Sequence, residues 1–415
     1  MAEAGNGTTA ELIEALAAAA ARPLGEGITM PPRIYNDPAI HALELERIFA
    51  RDWLCPGPAA EIPEPGDYLT FSIGTEPIVV MRQQDGSIRA FSNVCRHRMM
   101  ILLEGRGKAR RIVCPYHAWT YDAGGRLIGA GHMQRTEGFD KSQHCLPQFR
   151  TEIWNGWIYV TADPEARPVA ELLAGLEPVV ARYRMADYIP VTLQDHVWQT
   201  NWKLLDENFM EGYHLPVAHK ATVGAWFPVE DTEFSEEVFE AFTYQTFTKD
   251  ENATYGRAHK DNTRLEGRWR HTSILPTIYP THMYVLAPDH YWYLSLRPKG
   301  PGETLVRFGI ALAPEVHASL ESLDDFLAPL LSFFDKVNAE DRMVVEGIYR
   351  GSLAPTATAG PLSWLEREIH DFIGYVARRL TSGEAVGGKA GASPRRAAPA
   401  RAAGKGRKRK AEAAE

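Results

Sequence analysis

Two short stretches, Cys95-Arg96-His97 and Cys114-Pro115-Tyr116-His117, stand sixteen residues apart and restrict the chain around them more than any other feature. Each offers one thiolate and one imidazole on a tight loop. A metal centre held by both needs a scaffold that sets the loops face to face. Two centres accept this donor set. Zinc takes two Cys and two His in a tetrahedron; a two-iron, two-sulfur cluster takes two Cys on one iron and two His on the other. The C-x-H opening is unlike the C-x2-4-C start of a zinc finger, and one ligand of each kind per loop divides naturally over two irons, so the iron–sulfur reading is the stronger. Pro115 and Tyr116 stiffen the second loop, and Tyr116 or Trp119 can shield the sulfurs from water, which tunes a cluster's potential.

The sequence around these loops has the strand period of two. Alternating stretches at 68–73, 77–82 and 87–91, with Gln84-Asp85-Gly86 as a turn, are followed by others at 111–113, 118–121, 126–129 and 153–160. Residues 45–165 therefore read as a small, mostly antiparallel β domain. Ahead of it, residues 1–44 form a helical arm. Thr8 and Glu11 make a capping box for a helix over 9–21, and Asn36-Asp37-Pro38 opens a helix running to about Trp53.

A second candidate centre lies at 201–220, NWKLLDENFMEGYHLPVAHK. Glu207 and Glu211 are four apart and Glu211 is three before His214, spacings that share a helix face. Pro216 blocks helix continuation, which frees His219 from that face yet lets both imidazoles reach one ion. Imidazole with carboxylate suits Fe, Zn, Ni or Mn; ordinary polar helix residues are the equal alternative on this stretch alone. Tyr213 reads as a support for His214, a gate or a core ring, and Asp206 and Glu207 as groups behind the site or at an interface. Strands are expected at 189–198, 239–248, 283–286, 291–297 and 304–312. A long helix over 320–348 follows, with Phe326, Leu330, Phe333 and Val337 as its buried stripe. Glu340-Asp341 interrupts that stripe, and Asp341 would be costly to bury unpaired. Ser363 and Glu366 cap a last helix, to about Leu380.

Composition narrows the class. The 415 residues are 45% hydrophobic and 24% charged, normal for a globular protein, and long enough for two cores. The net charge of -8 is uneven: residues 381–415 hold nine Lys/Arg against three Glu and no aromatic residue. The acidic body is unlike a duplex-binding surface. The tail cannot bury enough to order itself, and its run GKGRKRK at 404–410 is a solvated segment that could at most hold polyanions nonspecifically. Four cysteines are too few for a disulfide scaffold; Cys55 reads as a small buried hydrophobe, and Cys145 has no partner at cluster spacing. Neither a membrane-spanning apolar run nor a basic-then-apolar leader is present. The expected location is the cytoplasm, and the triplets at 6–8 and 252–254 are not expected to carry glycans. A dinucleotide fingerprint between strand and helix is also missing.

CRH, sixteen residues, then CPYHAWTY resembles the cluster signature of a Rieske domain. NWK followed by carboxylate-x-x-His-x4-His resembles the second-domain signature of the Rieske non-haem iron oxygenases. In this order the two make the chain, from about Pro31 to Leu380, similar to that family's oxygenase (alpha) component. The resemblance implies an α+β fold, with a mostly antiparallel β Rieske [2Fe-2S] domain at 45–165. A helix-grip catalytic domain at 166–380 would follow, an antiparallel sheet wrapped around a long helix, with 1–44 packed on it and 381–415 a disordered basic tail. It implies Cys95, His97, Cys114 and His117 as cluster ligands. It implies His214, His219 and Asp341 as ligands of a mononuclear Fe(II), with Asp335 and Glu340 the nearest rivals for the carboxylate. Asn208 would sit close to that iron without ligating it. Glu211 would bridge the two centres, accepting hydrogen bonds from His214 and, across a subunit boundary, from His117 of the next copy. Electrons would come from NAD(P)H through a separate reductase or ferredoxin. A homotrimer closed head to tail is expected, with a companion beta subunit left open.

The expected reaction uses O2 to monooxygenate a small organic substrate. Rings at Trp226, Phe227, Tyr244, Tyr279, Tyr284, Tyr291, Trp292 and Tyr293 could hold a quaternary or N-methyl ammonium by cation–π attraction, leading to hydroxylation or oxidative N-demethylation. The same rings could pack an aromatic acid held by Arg257, Arg264 or Arg270, leading to ring hydroxylation or dihydroxylation. Most ring-dihydroxylating relatives carry Asp where this chain has Glu211, and relatives acting on quaternary ammonium compounds carry Glu, which tilts the expectation to the first class. A non-enzymatic iron–sulfur electron carrier is the remote alternative.

Overall fold

The computed structural model describes residues 7–225, 228–250 and 255–381. Trp226, Phe227, both asparagines of the Asn-X-Thr triplets and the basic tail lie outside the described residues. The strand-period region folds into a seven-stranded antiparallel sheet in the order Leu54–Pro58, Trp157–Thr161, Gln148–Trp154, Ile88–Ser92, Glu76–Arg82, Asp67–Ile73 and Arg106–Lys108. Beside it lies a three-stranded sheet of Arg111–Val113, Thr120–Asp122 and Leu127–Gly129. The run at 153–160 is not one strand. Asn155 and Gly156 take φ of 47° and 86°, and they turn the chain so that Trp154 pairs with Trp157; two positive φ values are what the tightest hairpin turn requires.

A second seven-stranded antiparallel sheet runs Ile189–Trp198, Glu303–Leu312, His290–Gly300, His282–Leu286, Thr272–Ile278, Phe242–Thr248 and Glu233–Phe234. The strand Thr272–Ile278 went unread because Pro276 interrupts it; its ladder to His282–Leu286 has no pair at that residue. The period of two sorts this sheet's side chains onto opposite faces. Tyr284, Tyr291 and Tyr293 pack on Trp157 of the first sheet. Trp292 points the other way, onto Phe209 and onto Phe334 of the long helix Leu323–Ser352. The two sheets are tied by polar contacts as well: Ser295 Oγ donates to the Cys55 carbonyl at 2.6 Å, and Arg307 Nη1 to the Pro56 carbonyl at 3.0 Å. The result is a β domain ahead of a sheet wrapped on a long helix.

The long helix starts at Leu323, where Ser322 caps it by accepting from the Asp325 N–H. Phe334, Val337 and Val345 are its buried residues. Phe326, Leu330 and Phe333 are only half-buried, because they face a cavity rather than solid core. The arm helix Thr9–Ala20 has the capping box Thr8–Glu11 and buries Leu12, Leu16 and Ala19 in the largest core, which also holds Phe372, Ile373 and Val376 of the last helix, Arg367–Thr381. The helix opened by Asp37 runs over Pro38–Glu44 and closes with a π turn, Leu45–Phe49, short of Trp53. Among the described residues, no helix is long and apolar enough to cross a membrane.

Candidate metal centres and the cavity between sheet and helix

The two Cys/His loops repeat each other atom for atom in their backbone bonding. The Cys95 N–H donates to the Met100 carbonyl at 2.8 Å and the Met99 N–H returns to the Cys95 carbonyl at 3.1 Å. The Cys114 N–H donates to the Trp119 carbonyl at 2.8 Å and the Ala118 N–H returns to the Cys114 carbonyl at 3.0 Å. Met99 and Ala118, each four residues after its cysteine, take the left-handed φ of 54° and 55°. Both thiols are buried while His97 and His117 stand exposed at the loop tips, their ring centroids 4.8 Å apart. Trp119 is buried and stacks on His97 at 4.9 Å, whereas Tyr116 is exposed, so the shielding ring is Trp119. Tyr121 Oη lies 3.4 Å from Cys95 Sγ and accepts from the Arg96 N–H at 2.9 Å. Cys55 is buried against the second sheet, and Cys145 Sγ donates to the Ser142 carbonyl at 3.4 Å.

Among the described residues, one group of three or more His, Cys, Asp or Glu side chains brings its ligand atoms within 4.8 Å of one another: His214, His219 and Asp341. Cys95, His97, Cys114 and His117 do not converge in that way, as ligands of a single tetrahedral zinc ion would; a donor set spread over two irons fits them better. The His/His/Asp group is assembled from two distant segments. Trp202–Phe209 is a helix that stops at the Met210 cap, so Glu211 lies past its end, off the face that Glu207 occupies. Leu215–Ala218 is a single helical turn with Pro216 in its first turn, where the missing N–H removes no helical bond. The proline thus opens a turn rather than breaking a helix, and His214 and His219 are the residues that bracket it. Asp341 arrives from the long helix, its Oδ1 lying 2.9 Å from His219 Nε2 and 3.5 Å from His214 Nε2.

Each imidazole is fixed from behind. His214 Nδ1 donates to Glu211 Oε1 at 2.5 Å, and the His214 backbone N–H to Glu211 Oε2 at 3.0 Å. His219 Nδ1 donates to Glu340 Oε2 at 2.7 Å, and Thr222 Oγ1 donates to the same oxygen at 2.5 Å. Such outer carboxylates set tautomer and ring orientation, leaving Nε2 to meet a metal. Glu340 therefore stands behind the group and Asp335 is exposed on the helix, which leaves Asp341 as the converging carboxylate. Burial works against charge on His214, yet the hydrogen bonds and charges of Asp341 and Glu211 push its pKa up to about 10. Burial also opposes charge on Asp341, but the two imidazoles hold its carboxyl below the usual range. A carboxylate kept anionic between two imidazoles suits a divalent cation. Asn208 Nδ2 lies 3.4 Å from His214 Nε2, beside the group.

The rest of the 201–220 signature is scaffold. Asn201 Oδ1 caps the helix by accepting from the Lys203 N–H at 3.1 Å. Trp202 Nε1 and Lys203 Nζ both donate to the buried Glu44, at 2.9 and 2.5 Å. Glu207 accepts from Tyr35 Oη at 2.8 Å, and burial pushes its pKa up to about 8. Asp206 is fully buried, with neither carboxyl oxygen hydrogen-bonded, and its burial keeps it protonated far above the usual carboxylate range. Neither residue lies at a surface. Tyr213 is exposed rather than a core ring, and it is not among the residues that border the cavity beside the group.

A cavity of about 660 Å³ opens between the second sheet and the long helix, and His214, His219 and Asp341 border it. Its Trp, Phe and Tyr rings are Trp198, Phe209, Phe247, Tyr255, Trp292, Phe326, Phe333 and Phe334. Of the described rings expected there, only Trp292 takes part. Tyr284, Tyr291 and Tyr293 face away by strand alternation, Tyr279 packs on Phe372 and Tyr375, and Tyr244 packs beside Phe239 and Phe242. None of Arg257, Arg264 and Arg270 borders the cavity. Arg264 pairs with Asp187 and Glu315, and Arg270 donates to the carbonyls of His259, Asn262 and Leu265.

An antiparallel β domain with paired Cys/His loops, joined to a sheet wrapped on a helix that carries a His/His/Asp group, defines an iron–sulfur-dependent oxygenase architecture. The Rieske [2Fe-2S] domain family matches residues 52–149, and the ring hydroxylating alpha subunit (catalytic domain) family matches residues 180–382. The glycine betaine monooxygenase oxygenase subunit of Chromohalobacter salexigens is 39% identical over 207 residues, 49% of this chain and 46% of that subunit, so the match spans about half of that relative. The glycine betaine monooxygenase oxygenase subunit of Pseudomonas aeruginosa is 27% identical over 386 residues, 85% of this chain and 89% of that subunit. The solved structure of a quaternary ammonium Rieske monooxygenase, described as giving insight into carnitine oxidation by gut microbiota, superimposes with a TM-score of 0.76 at 26% identity, covering 88% of this chain and 98% of that one. The chain belongs to the Rieske ring-hydroxylating oxygenase alpha-subunit family.

Proposed function

We propose that the protein is the terminal oxygenase of a multicomponent system and that it oxidises a C–H bond next to the nitrogen of a quaternary or N-methyl ammonium compound. The observation that carries this reading is the His214–His219–Asp341 group opening onto a cavity whose walls are aromatic. The relatives that act on betaine and carnitine support the substrate class. In this reading residues 45–165 receive electrons and residues 166–380 carry out the oxidation. Cys95, His97, Cys114 and His117 hold a [2Fe-2S] cluster, and His214, His219 and Asp341 hold a mononuclear iron. When bound, a ferrous ion on two imidazoles and one carboxylate leaves positions open at which O2 can be activated.

The chain's own residues prepare that chemistry. Glu211 and Glu340 lock the two imidazoles in the tautomer that presents Nε2. Asn208 adds a polar amide beside His214, and the apolar walls keep water from the reacting carbon. Phe209, Trp292 and Phe333 offer ring faces to a cationic nitrogen, each worth up to ~2 kcal/mol when desolvated. An N-methyl group, O2, two electrons and two protons yield an N-hydroxymethyl group and water. That product breaks its C–N bond to release formaldehyde, the amine and a proton. The electrons come one at a time from NAD(P)H through a separate reductase or ferredoxin. A cytoplasmic homotrimer completes the proposal, in which Glu211 also accepts a hydrogen bond from the next copy's His117.

The test is an oxygen-dependent assay of the iron-loaded protein with a surrogate reductase, given betaines, carnitine and choline beside benzoate-like acids. Aldehyde and amine released from an ammonium compound support the reading. A hydroxylated ring or cis-diol, with no response to any amine, overturns the substrate class.

A further inference from the structure

Behind the second sheet, on the face turned away from the cavity, lies a cluster of rings that the chemistry above does not use. Trp157 is at its centre, with the rings of His282, Tyr293, Tyr291 and Tyr284 at 4.5, 4.9, 5.0 and 5.5 Å. Trp157 Nε1 donates to Met185 Sδ at 3.3 Å. Tyr159 Oη donates to His282 Nδ1 at 2.9 Å, and both residues are buried. The other polar ends are poorly served. Among the described residues, Tyr284 Oη, Tyr293 Oη and His282 Nε2 are buried without a hydrogen-bond partner. Buried phenols ordinarily find one, and leaving a polar group unpaired in the interior is costly. Phenylalanine would fill the same space without that cost. What Tyr and Trp offer and Phe does not is a ring that gives up an electron readily.

The Tyr159–His282 pair has what such a step requires. Burial holds the phenol pKa well above its usual range and pushes the His282 pKa down to about 3, so a neutral phenol faces a neutral imidazole. A phenol that has lost an electron becomes a strong acid, and Nδ1 stands in place to take its proton. The cluster is also linked to the cavity. Trp292 borders the cavity, packs on Phe209 at 5.6 Å, and is the strand neighbour of Tyr291 and Tyr293, which touch Trp157. Rings in near contact pass electrons quickly, so a line from Trp292 through Trp157 joins the metal side to the pair. We infer that Tyr159 and His282 form a redox-active pair that removes the oxidising equivalents left when peroxide is reduced at the metal group with no substrate in the cavity. Reduction of one peroxide to two waters takes two electrons and two protons. The ferrous ion gives one electron and Tyr159 the other, while the phenolic proton moves to His282 Nδ1; both protons for water come from solvent. A neutral tyrosyl radical and an imidazolium remain. An electron from the reductase then restores the tyrosine, which takes its proton back. This rests on oxygen chemistry at His214, His219 and Asp341 and not on the substrate class.

The experiment mixes the full-length protein, cluster oxidised and ferrous iron loaded, with hydrogen peroxide in the absence of substrate. Rapidly frozen samples are read by electron paramagnetic resonance. Wild type should show a tyrosyl signal that narrows when the protein is made with ring-deuterated tyrosine. Tyr159→Phe should lose the signal with its iron content unchanged, and its cluster spectrum should bleach after fewer additions of peroxide. Trp157→Phe, which breaks the line of rings but keeps the pair, should weaken the signal, and it serves as the second variant should Tyr159→Phe not fold. Asp341→Ala, without the mononuclear iron, should give no signal. Absence of the signal from wild type, or its persistence unchanged in Tyr159→Phe or in Asp341→Ala, overturns the assignment. Ring hydroxylation in the substrate assay would remove the ammonium reading and leave this result as it stands.

Discussion

The two candidate metal centres are built on opposite principles. The Cys/His loops are local: each carries its two candidate ligands within four residues, and the same pair of backbone hydrogen bonds and the same left-handed residue shape both. The His/His/Asp group is distributed. Asp341 lies 122 residues beyond His219, and each imidazole is held by a carboxylate side chain rather than by backbone. Backbone-made loops keep their shape when a side chain is changed. A side-chain-made group depends on every packed element that delivers it. The two centres should therefore fail independently and in different ways.

The largest expected effect is at the loops. Cys95→Ala should abolish the brown colour and all turnover, while about one iron per chain stays at the His/His/Asp group by metal analysis. Colourless wild-type protein carrying only zinc would break the comparison at its root. Asp341→Ala should do the reverse, removing the mononuclear iron and product formation while the cluster spectrum persists. Full iron retention in that variant would return the ligand role to Glu340 or Asp335. Glu340→Gln, which weakens only the group behind His219, should cost about 10- to 100-fold in iron affinity by titration. Glu211→Gln should slow electron-coupled turnover far more than it lowers iron content, whereas iron loss in step with turnover would reduce Glu211 to a support for His214. The smallest effect sharpens the backbone claim. Met99→Gly places glycine where φ is already +54°, so it should raise the melting temperature slightly or leave it unchanged, with an intact cluster spectrum.

This contrast also explains what could be read from the sequence. The loops were legible because their chemistry is local: CRH and CPYH are two short words, and short alternating strands bracket them. His214 and His219 were legible by spacing, although the role of Pro216 was not, because a proline in the first turn of a helix and one that ends a helix look alike without their neighbours. Asp341 could be named only through family resemblance, since a carboxylate on a long helix is ordinary until tertiary packing sets it against His219. The rings misassigned to the cavity show the same limit: Tyr291, Trp292 and Tyr293 are consecutive, and only the register of His290–Gly300 decides that the tryptophan alone faces inward. Glu44, the partner of Trp202 and Lys203, was invisible because it lies 159 residues before the lysine it holds.

The most direct test of the account is a single turnover without any reductase. Protein with both centres loaded is reduced chemically, mixed with glycine betaine and given O2, while cluster absorbance and formaldehyde are followed together. The account predicts that wild type forms formaldehyde as the cluster reoxidises, and that Asp341→Ala reoxidises without forming it. Formaldehyde from Asp341→Ala, or reoxidation of wild type with no product from any ammonium compound, would contradict it.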